Sequence, residues 1–117
     1  MKTLALIFTS IVAIEHLYFL TLEMFFWTKP RTIKSFGIKS KAFAEETKVL
    51  AANQGLYNGF IAAGIWFALF KENQPFILFF LICVTIAGIY GSYSTKQIKL
   101  FYVQSIPAII ALIFSLI

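Results

Sequence analysis

The stretch TLALIFTSIVAIEHLYFLTLEMFFW, residues 3–27, decides the fold because it is almost entirely apolar over 25 residues. At a rise of about 1.5 Å per residue, a helix of this length crosses a hydrocarbon core about 30 Å thick. Three further apolar runs, residues 49–70, 76–93 and 100–117, are 18 to 22 residues long. The sequence therefore predicts an all-α integral membrane protein, a four-helix bundle that forms a single transmembrane domain over residues 1–117.

The composition favours the same class of protein. Of the 117 residues, 60% are hydrophobic and only 13% are charged, whereas a soluble domain of this size needs more polar surface around its core. The first apolar run resembles a secretory signal, but it is too long for one and carries Glu15 and His16 at its centre. The single cysteine, Cys83, lies in the third run and is expected to be a small core residue.

The basic residues indicate how the helices are oriented. Eight of the ten lie in the polar segments 28–48 and 94–99, and the other two are Lys2 and Lys71. Cytoplasmic loops of membrane proteins carry the excess of lysine and arginine. We therefore expect a multi-pass protein of the plasma membrane with both termini outside the cytoplasm. In the cytoplasmic first loop, residues 39–48 are expected to form a short interfacial helix or to extend the second span.

The net charge of +5 bears on the partners of the protein. The basic residues flank apolar runs and form no patch the size of a nucleic-acid groove, so nucleic-acid binding is not expected. Cations beside membrane spans are typical of attraction to anionic lipid headgroups. Membrane lipid is the partner that the charge pattern predicts.

Polar side chains that lipid would exclude are the most informative feature of the apolar runs. The first run contains Glu15, His16 and Glu23, and an ionisable group at mid-membrane costs at least ~2.5 kcal/mol on insertion. At about 100° per residue, His16 and Glu23 lie on one stripe of a helix, together with Thr9 and Trp27. The second and fourth runs add uncharged polar residues: Asn53, Gln54, Tyr57, Asn58 and Gln104.

These polar groups are predicted to lie at matching depths. Counted along antiparallel helices, Glu23 lies about 6 Å below the cytosolic boundary, close to the level of Asn53, and His16 lies about 16 Å below it, close to that of Asn58. The sequence thus predicts a polar pocket in the cytosolic half of the bundle. Hydrogen bonding between helices accounts for isolated amide and phenol groups, but two acids with a histidine favour a site.

Two segments resemble a known family. The run EHLYF at residues 15–19, the run LEMF at residues 22–25 and the run NQGLYNGF at residues 53–60 are similar to a family of small four-helix bacterial membrane proteins. That family is labelled only as a domain of unknown function. The resemblance covers essentially the whole chain; it implies a bacterial membrane protein of this size and implies no reaction.

The predicted pocket leads to more than one functional hypothesis. In the first, Glu15, His16 and Glu23 are acid/base catalytic groups, as in an isomerase or epimerase, and a small or lipid-soluble ligand is bound by Asn53, Gln54, Tyr57, Asn58 and Gln104. In the second, the protein is a proton-coupled transporter or exporter that works as a dimer. A structural membrane subunit is the third reading.

No metal site or cofactor is expected, because the chain has a single histidine, and adjacent residues such as Glu15 and His16 diverge by about 100° on a helix. The sequence also contains no phosphate loop or dinucleotide fingerprint. Small residues on the third run have the four-residue spacing that lets membrane helices approach closely: Ala87 with Gly91 and Gly88 with Ser92. This spacing predicts packing within the chain, with a homodimer interface as the alternative.

Overall fold

The computed structural model describes residues 2–117, so Met1, the first residue of the predicted domain, lies outside it, and every regular element in the described part is helical. Five helices follow one another, and the prediction of an all-α fold is confirmed. They are α1 (Thr3–Phe25), α2 (Pro30–Phe36), α3 (Lys41–Phe70), α4 (Gln74–Thr95) and α5 (Ile98–Leu116).

Within residues 2–117, three helices are long and apolar enough to cross a membrane: α1, α4 and α5. Helix α3 is the longest, at 30 residues, but it is not one of the three. Its first turns carry charged side chains, and Asn53, Gln54 and Asn58 follow in its middle. These polar residues lower its hydropathy below that of the other long helices.

The first loop differs in detail from the prediction. Residues 39–48 do not form a separate short helix. From Lys41 onward they are the first turns of α3, so they extend the second predicted span, which was the alternative prediction. The short helix of this loop is α2, and it begins at Pro30. A proline suits the first turn of a helix because no backbone N–H is needed there.

Local signals separate α2 from α3. Gly37 ends α2 in a left-handed conformation with φ of 65°, and the N–H of Ile38 donates to the carbonyl of Ile33 at 3.0 Å, a common way to end a helix. The hydroxyl of Ser40 then accepts a hydrogen bond from the N–H of Phe43 at 3.0 Å. A serine in this position satisfies one of the free N–H groups at the start of a helix, so α3 begins one residue after it.

The chain divides into two compact units. The hairpin unit, Glu15–Ala62, contains the end of α1, the whole of α2 and the first two-thirds of α3. The terminal unit, Met1–Ile14 with Ala63–Ile117, contains the start of α1, the end of α3, and helices α4 and α5. All the predicted site residues except Gln104 belong to the hairpin unit.

In the terminal unit, α4 and α5 pack closely at a glycine. Gly88 is buried, and a methyl group there would overlap the hydroxyl of Ser105 and lie 2.9 Å from its backbone nitrogen. The same hydroxyl donates a hydrogen bond to the carbonyl of Thr85 at 2.9 Å. A methyl group at Gly91 would make only an ordinary contact of 3.6 Å with Leu100. Gly88 therefore packs within the chain, as its spacing predicts.

Helix α5 widens just before its proline. Residues Phe101–Ser105 form a π-helical turn, and the N–H of Ile106 donates to the carbonyl of Phe101, five residues earlier. Pro107, which has no N–H to donate, follows immediately. The sequence predicts a bend at Pro107, and the structure has a wider turn ahead of it, a local form that occurs inside α-helices. This turn includes Ser105, the residue that packs against Gly88.

We expect Gly88→Ala to lower the free energy of unfolding by about 1–3 kcal/mol, because the added methyl group forces the backbone of α5 away from α4. Gly91→Ala is the matched control, since it is the same change on the same helix with room for the methyl group. There alanine's higher helix propensity, worth up to about 1 kcal/mol, should dominate. SDS titration of the protein in detergent micelles, followed by circular dichroism, measures both; equal stabilities would contradict the close approach.

Candidate polar site

Two glycines let α3 approach α1 inside the hairpin unit. A methyl group at Gly55 would lie 2.8 Å from Cγ of Met24 and 3.2 Å from the carbonyl oxygen of Leu20. One turn later, a methyl group at Gly59 would lie 2.5 Å from Cδ1 of Leu20. Glycines four residues apart are a known means of bringing two membrane helices together. Because glycine has no side chain, α3 can lie directly against the last turns of α1 at these two positions.

Asn58 lies on the face of α3 that makes this approach. Ala51, Gly55 and Ala62 are buried, and Asn58 follows Gly55 by three residues and precedes Ala62 by four, which is the spacing of a single helix face. The side-chain amide of Asn58 donates a hydrogen bond to Oε1 of Glu23 at 2.5 Å. This bond joins the polar groups of α1 and α3 at the centre of the candidate site. It also shows that the predicted levels were wrong, because they matched Glu23 with Asn53 and His16 with Asn58.

Glu23 and His16 are buried on one stripe of α1. Glu23 is 7% exposed and His16 is 3% exposed, and their separation of seven residues corresponds to about 10.5 Å along the helix axis. The ring of His16 packs edge to face against Phe19, with 5.4 Å between ring centroids. Within residues 2–117, no three His, Cys, Asp or Glu side chains are grouped so that they could hold a metal ion.

Glu15 is partly buried, and its Oε1 is enclosed. Among the described residues this oxygen has no hydrogen-bond partner. Leaving a buried acceptor without a donor costs about 1–3 kcal/mol. This oxygen lies on the same helix as Glu23, and the two residues are about 12 Å apart along the helix axis.

The structure does not bring the other polar residues of α3 to the buried face. Tyr57 is 62% exposed. Asn53 is also exposed, and its amide donates to the carbonyl of Val49 in its own helix at 2.9 Å. Gln54 is exposed as well. The polar arc predicted from Asn53 to Asn58 spans more of the helix than a tight crossing can enclose, and only its Asn58 edge turns inward.

Gln104 is a half-buried residue of the terminal unit and lies in the π-helical turn of α5. Two residues that shape the site, Gly55 and Gly59, are absent from the predicted set. Their four-residue spacing inside an apolar run is the sequence signal that identifies them.

Trp27, predicted on the same stripe as His16, donates its indole N–H to the hydroxyl of Thr47 at 3.1 Å.

Comparison with known proteins assigns a family. Residues 10–116 match the family described as a protein of unknown function, DUF1304, and this span includes every residue of the candidate site. The chain belongs to the DUF1304 family. This DUF1304 protein is similar to the uncharacterized protein YpaA of Lactococcus lactis subsp. lactis (strain IL1403), with 31% identity over 118 residues that cover 98% of each chain. No solved structure matches the chain. The predicted membership of a family of unknown function is confirmed.

Replacing Asn58 tests the geometry of the site. We expect Asn58→Ala to lower the free energy of unfolding by about 1–3 kcal/mol, because a buried oxygen of Glu23 loses its donor. Asn53→Ala is the matched control, an identical change on the exposed side of the same helix, and should stay within about 0.5 kcal/mol of the parent. Unfolding in detergent, monitored by near-UV circular dichroism, gives both values. An equal cost for the two variants would refute the inward placement of Asn58.

Proposed function

We propose that the pair formed by Glu23 and Asn58 is the centre of an intramembrane site that binds a small or lipid-soluble molecule and performs acid/base chemistry. The observation that carries this proposal is the hydrogen bond between Asn58 and a carboxyl group only 7% exposed. Neutral amides serve equally well as links between membrane helices. A carboxyl group adds an insertion cost of at least ~2.5 kcal/mol, which a proton-exchanging role explains.

The arrangement suits proton transfer. Asn58 donates to one oxygen of the Glu23 carboxyl group, and the second oxygen is left to accept or deliver a proton. Isomerisation or epimerisation requires only a base that removes a proton and an acid that returns it. We assign these roles to Glu23, His16 and Glu15. A ligand in contact with both glutamates must be extended, because they lie about 12 Å apart along the helix axis.

We further infer that α3 is the fourth membrane span and completes a four-helix bundle in the plasma membrane. Residues 49–70 of α3 are long enough to cross the hydrocarbon core. The amide of Asn58, the deepest in the run of polar residues on this helix, is satisfied by Glu23. Four spans place the basic segments 28–48 and 94–99 together on the cytoplasmic side. Both ends of the chain then lie on the outer side.

A proton-coupled transporter that works as a dimer is the second candidate. It is favoured by the enclosed oxygen of Glu15, because carboxyl groups at two depths of one helix are typical of a proton pathway. The proposed dimer interface is the small-residue face of α4. On that face Gly88 is buried and Ala87 is exposed, so a partner helix would contact the side that Ala87 occupies.

Cysteine labelling in intact cells tests the topology. In a Cys83→Ala background, Ala42→Cys should resist an impermeant maleimide until the cells are permeabilised, whereas Lys71→Cys should react at once. Both positions are exposed and lie at opposite ends of α3. Labelling of both from outside would show that α3 does not span the membrane. Labelling of only the Ala42→Cys variant would reverse the orientation.

We expect Glu23→Gln to leave the fold intact and to abolish ligand binding or turnover. The glutamine keeps an acceptor oxygen for Asn58, so the melting temperature in detergent should equal or exceed that of the parent. The purified parent and variant are incubated with a lipid and metabolite extract of the host, and mass spectrometry identifies the molecules that each retains or converts. A molecule bound or converted by the parent and not by the variant supports the proposal.

Glu46→Gln is the matched control, because it removes an exposed acid by the same substitution and should change nothing. Glu15→Gln and His16→Asn extend the series to the other two assigned groups. If all three site variants bind and convert the same molecules as the parent, the acid/base role is refuted. Glu23 and Asn58 are then a structural link between two helices.

A further inference from the structure

The segment between α1 and the first turns of α3 carries exposed cations, most of which have no acidic partner among the described residues. Its basic residues are all exposed. Among the described residues the one ion pair in this segment joins Lys48 to Glu45 at 3.4 Å, and the ammonium group of Lys39 lies 4.5 Å from the ring centroid of Phe43. The other four cations, which we call the basic cluster, are Lys29, Arg31, Lys34 and Lys41.

The basic cluster belongs to a folded platform in the hairpin unit. Thr32 of α2 is buried, and the ring of Phe36 packs on Trp27 with 5.2 Å between ring centroids. Trp27 in turn donates its indole N–H to the hydroxyl of Thr47 on α3, which also donates to the carbonyl of Phe43 at 2.7 Å. These contacts hold α2 against the start of α3, so the backbone segment that carries the basic cluster has a defined structure.

This platform directly follows a helix of membrane length. Helix α1 ends at Phe25, and Phe25 and Phe26 are exposed. Aromatic residues at the end of a membrane span lie at the level of the lipid headgroups. Helix α2 begins at Pro30, four residues beyond Phe26. The basic cluster is therefore expected at the depth where the phosphates of the cytoplasmic leaflet are found.

We propose that the basic cluster is a binding surface for the headgroups of anionic phospholipids. The cations have no acidic partners in the described chain, and the aromatic end of α1 places them at a membrane boundary, where phosphate is the complementary group. Each lysine or arginine near an anionic membrane surface strengthens the attraction about fivefold. This proposal rests on the topology inferred under Proposed function, but none of these residues belongs to the Glu23–Asn58 site, so loss of lipid preference and loss of the acid/base role are distinguished by separate experiments.

Fluorescence quenching of Trp27 in nanodiscs tests the proposal on the full chain. The protein has two tryptophans, and Trp66→Phe leaves Trp27 as the only reporter. Nanodiscs contain either brominated phosphatidylglycerol or brominated phosphatidylcholine at the same mole fraction in unbrominated phosphatidylcholine. We expect the binding constant at Trp27 to be about fivefold or more higher for phosphatidylglycerol. Salt at 1 M, where the Debye length is about 3 Å, should reduce this preference strongly.

Two quadruple variants distinguish the effect of the basic cluster from the effect of the total charge of the protein. K29Q/R31Q/K34Q/K41Q should bring the ratio of the two binding constants to about one, because the local attraction is removed. K2Q/K71Q/K96Q/K99Q removes the same number of charges elsewhere and should keep the preference of the parent. Three outcomes overturn the proposal: no preference in the parent, a preference unchanged at 1 M salt, or an equal loss in both quadruple variants.

Discussion

A carboxyl group enclosed between apolar helices must find a hydrogen-bond donor, and at Glu23 that donor is the amide of Asn58. This requirement fixes how α3 lies along α1. A shift of one residue would replace Asn58 by Tyr57 or Gly59, and neither offers an amide donor at that point. Gly59 and Gly55 remove the side chains that would hold the helices apart. Polar pairing and close approach thus depend on each other.

The connection between the two helices supports the same alignment. Helix α2 is bounded by Pro30 and Gly37, and Ser40 starts α3 just beyond it. Trp27 links the end of α1 to Thr47, two turns into the amino-terminal part of α3. With the turn fixed at one end and the glycine crossing at the other, α3 has little freedom to slide. The residues of the site are therefore positioned by two packed helices and not by a loop.

The buried stripe of α1 could be predicted from the sequence, whereas the buried face of α3 could not, and the difference has a physical reason. Burial of His16 and Glu23 on one face follows from helical periodicity within a single helix. On α3, periodicity defines an arc of polar residues, but only packing decides which edge of that arc turns inward. The spacing of Gly55 and Gly59 contains this information, because the face without side chains is the face that approaches. The wide turn ahead of Pro107 likewise depends on tertiary packing. Proline has no N–H to donate, and this permits either a bend or a π-helical turn.

The low hydropathy of α3 and the candidate site have a common cause. Asn58 lowers the apolar character of α3, and α3 is the long helix that is not apolar enough to be identified as a span within residues 2–117. In an isolated α3, the amide of Asn58 would face hydrocarbon at a cost of several kcal/mol. When this amide pairs with Glu23, the cost of burying a polar group falls for both helices. In the proposed topology, α1 and α3 therefore have to enter the membrane as a hairpin, each satisfying the polar group of the other. The stability of such a helix in lipid is then a property of the pair rather than of its own composition.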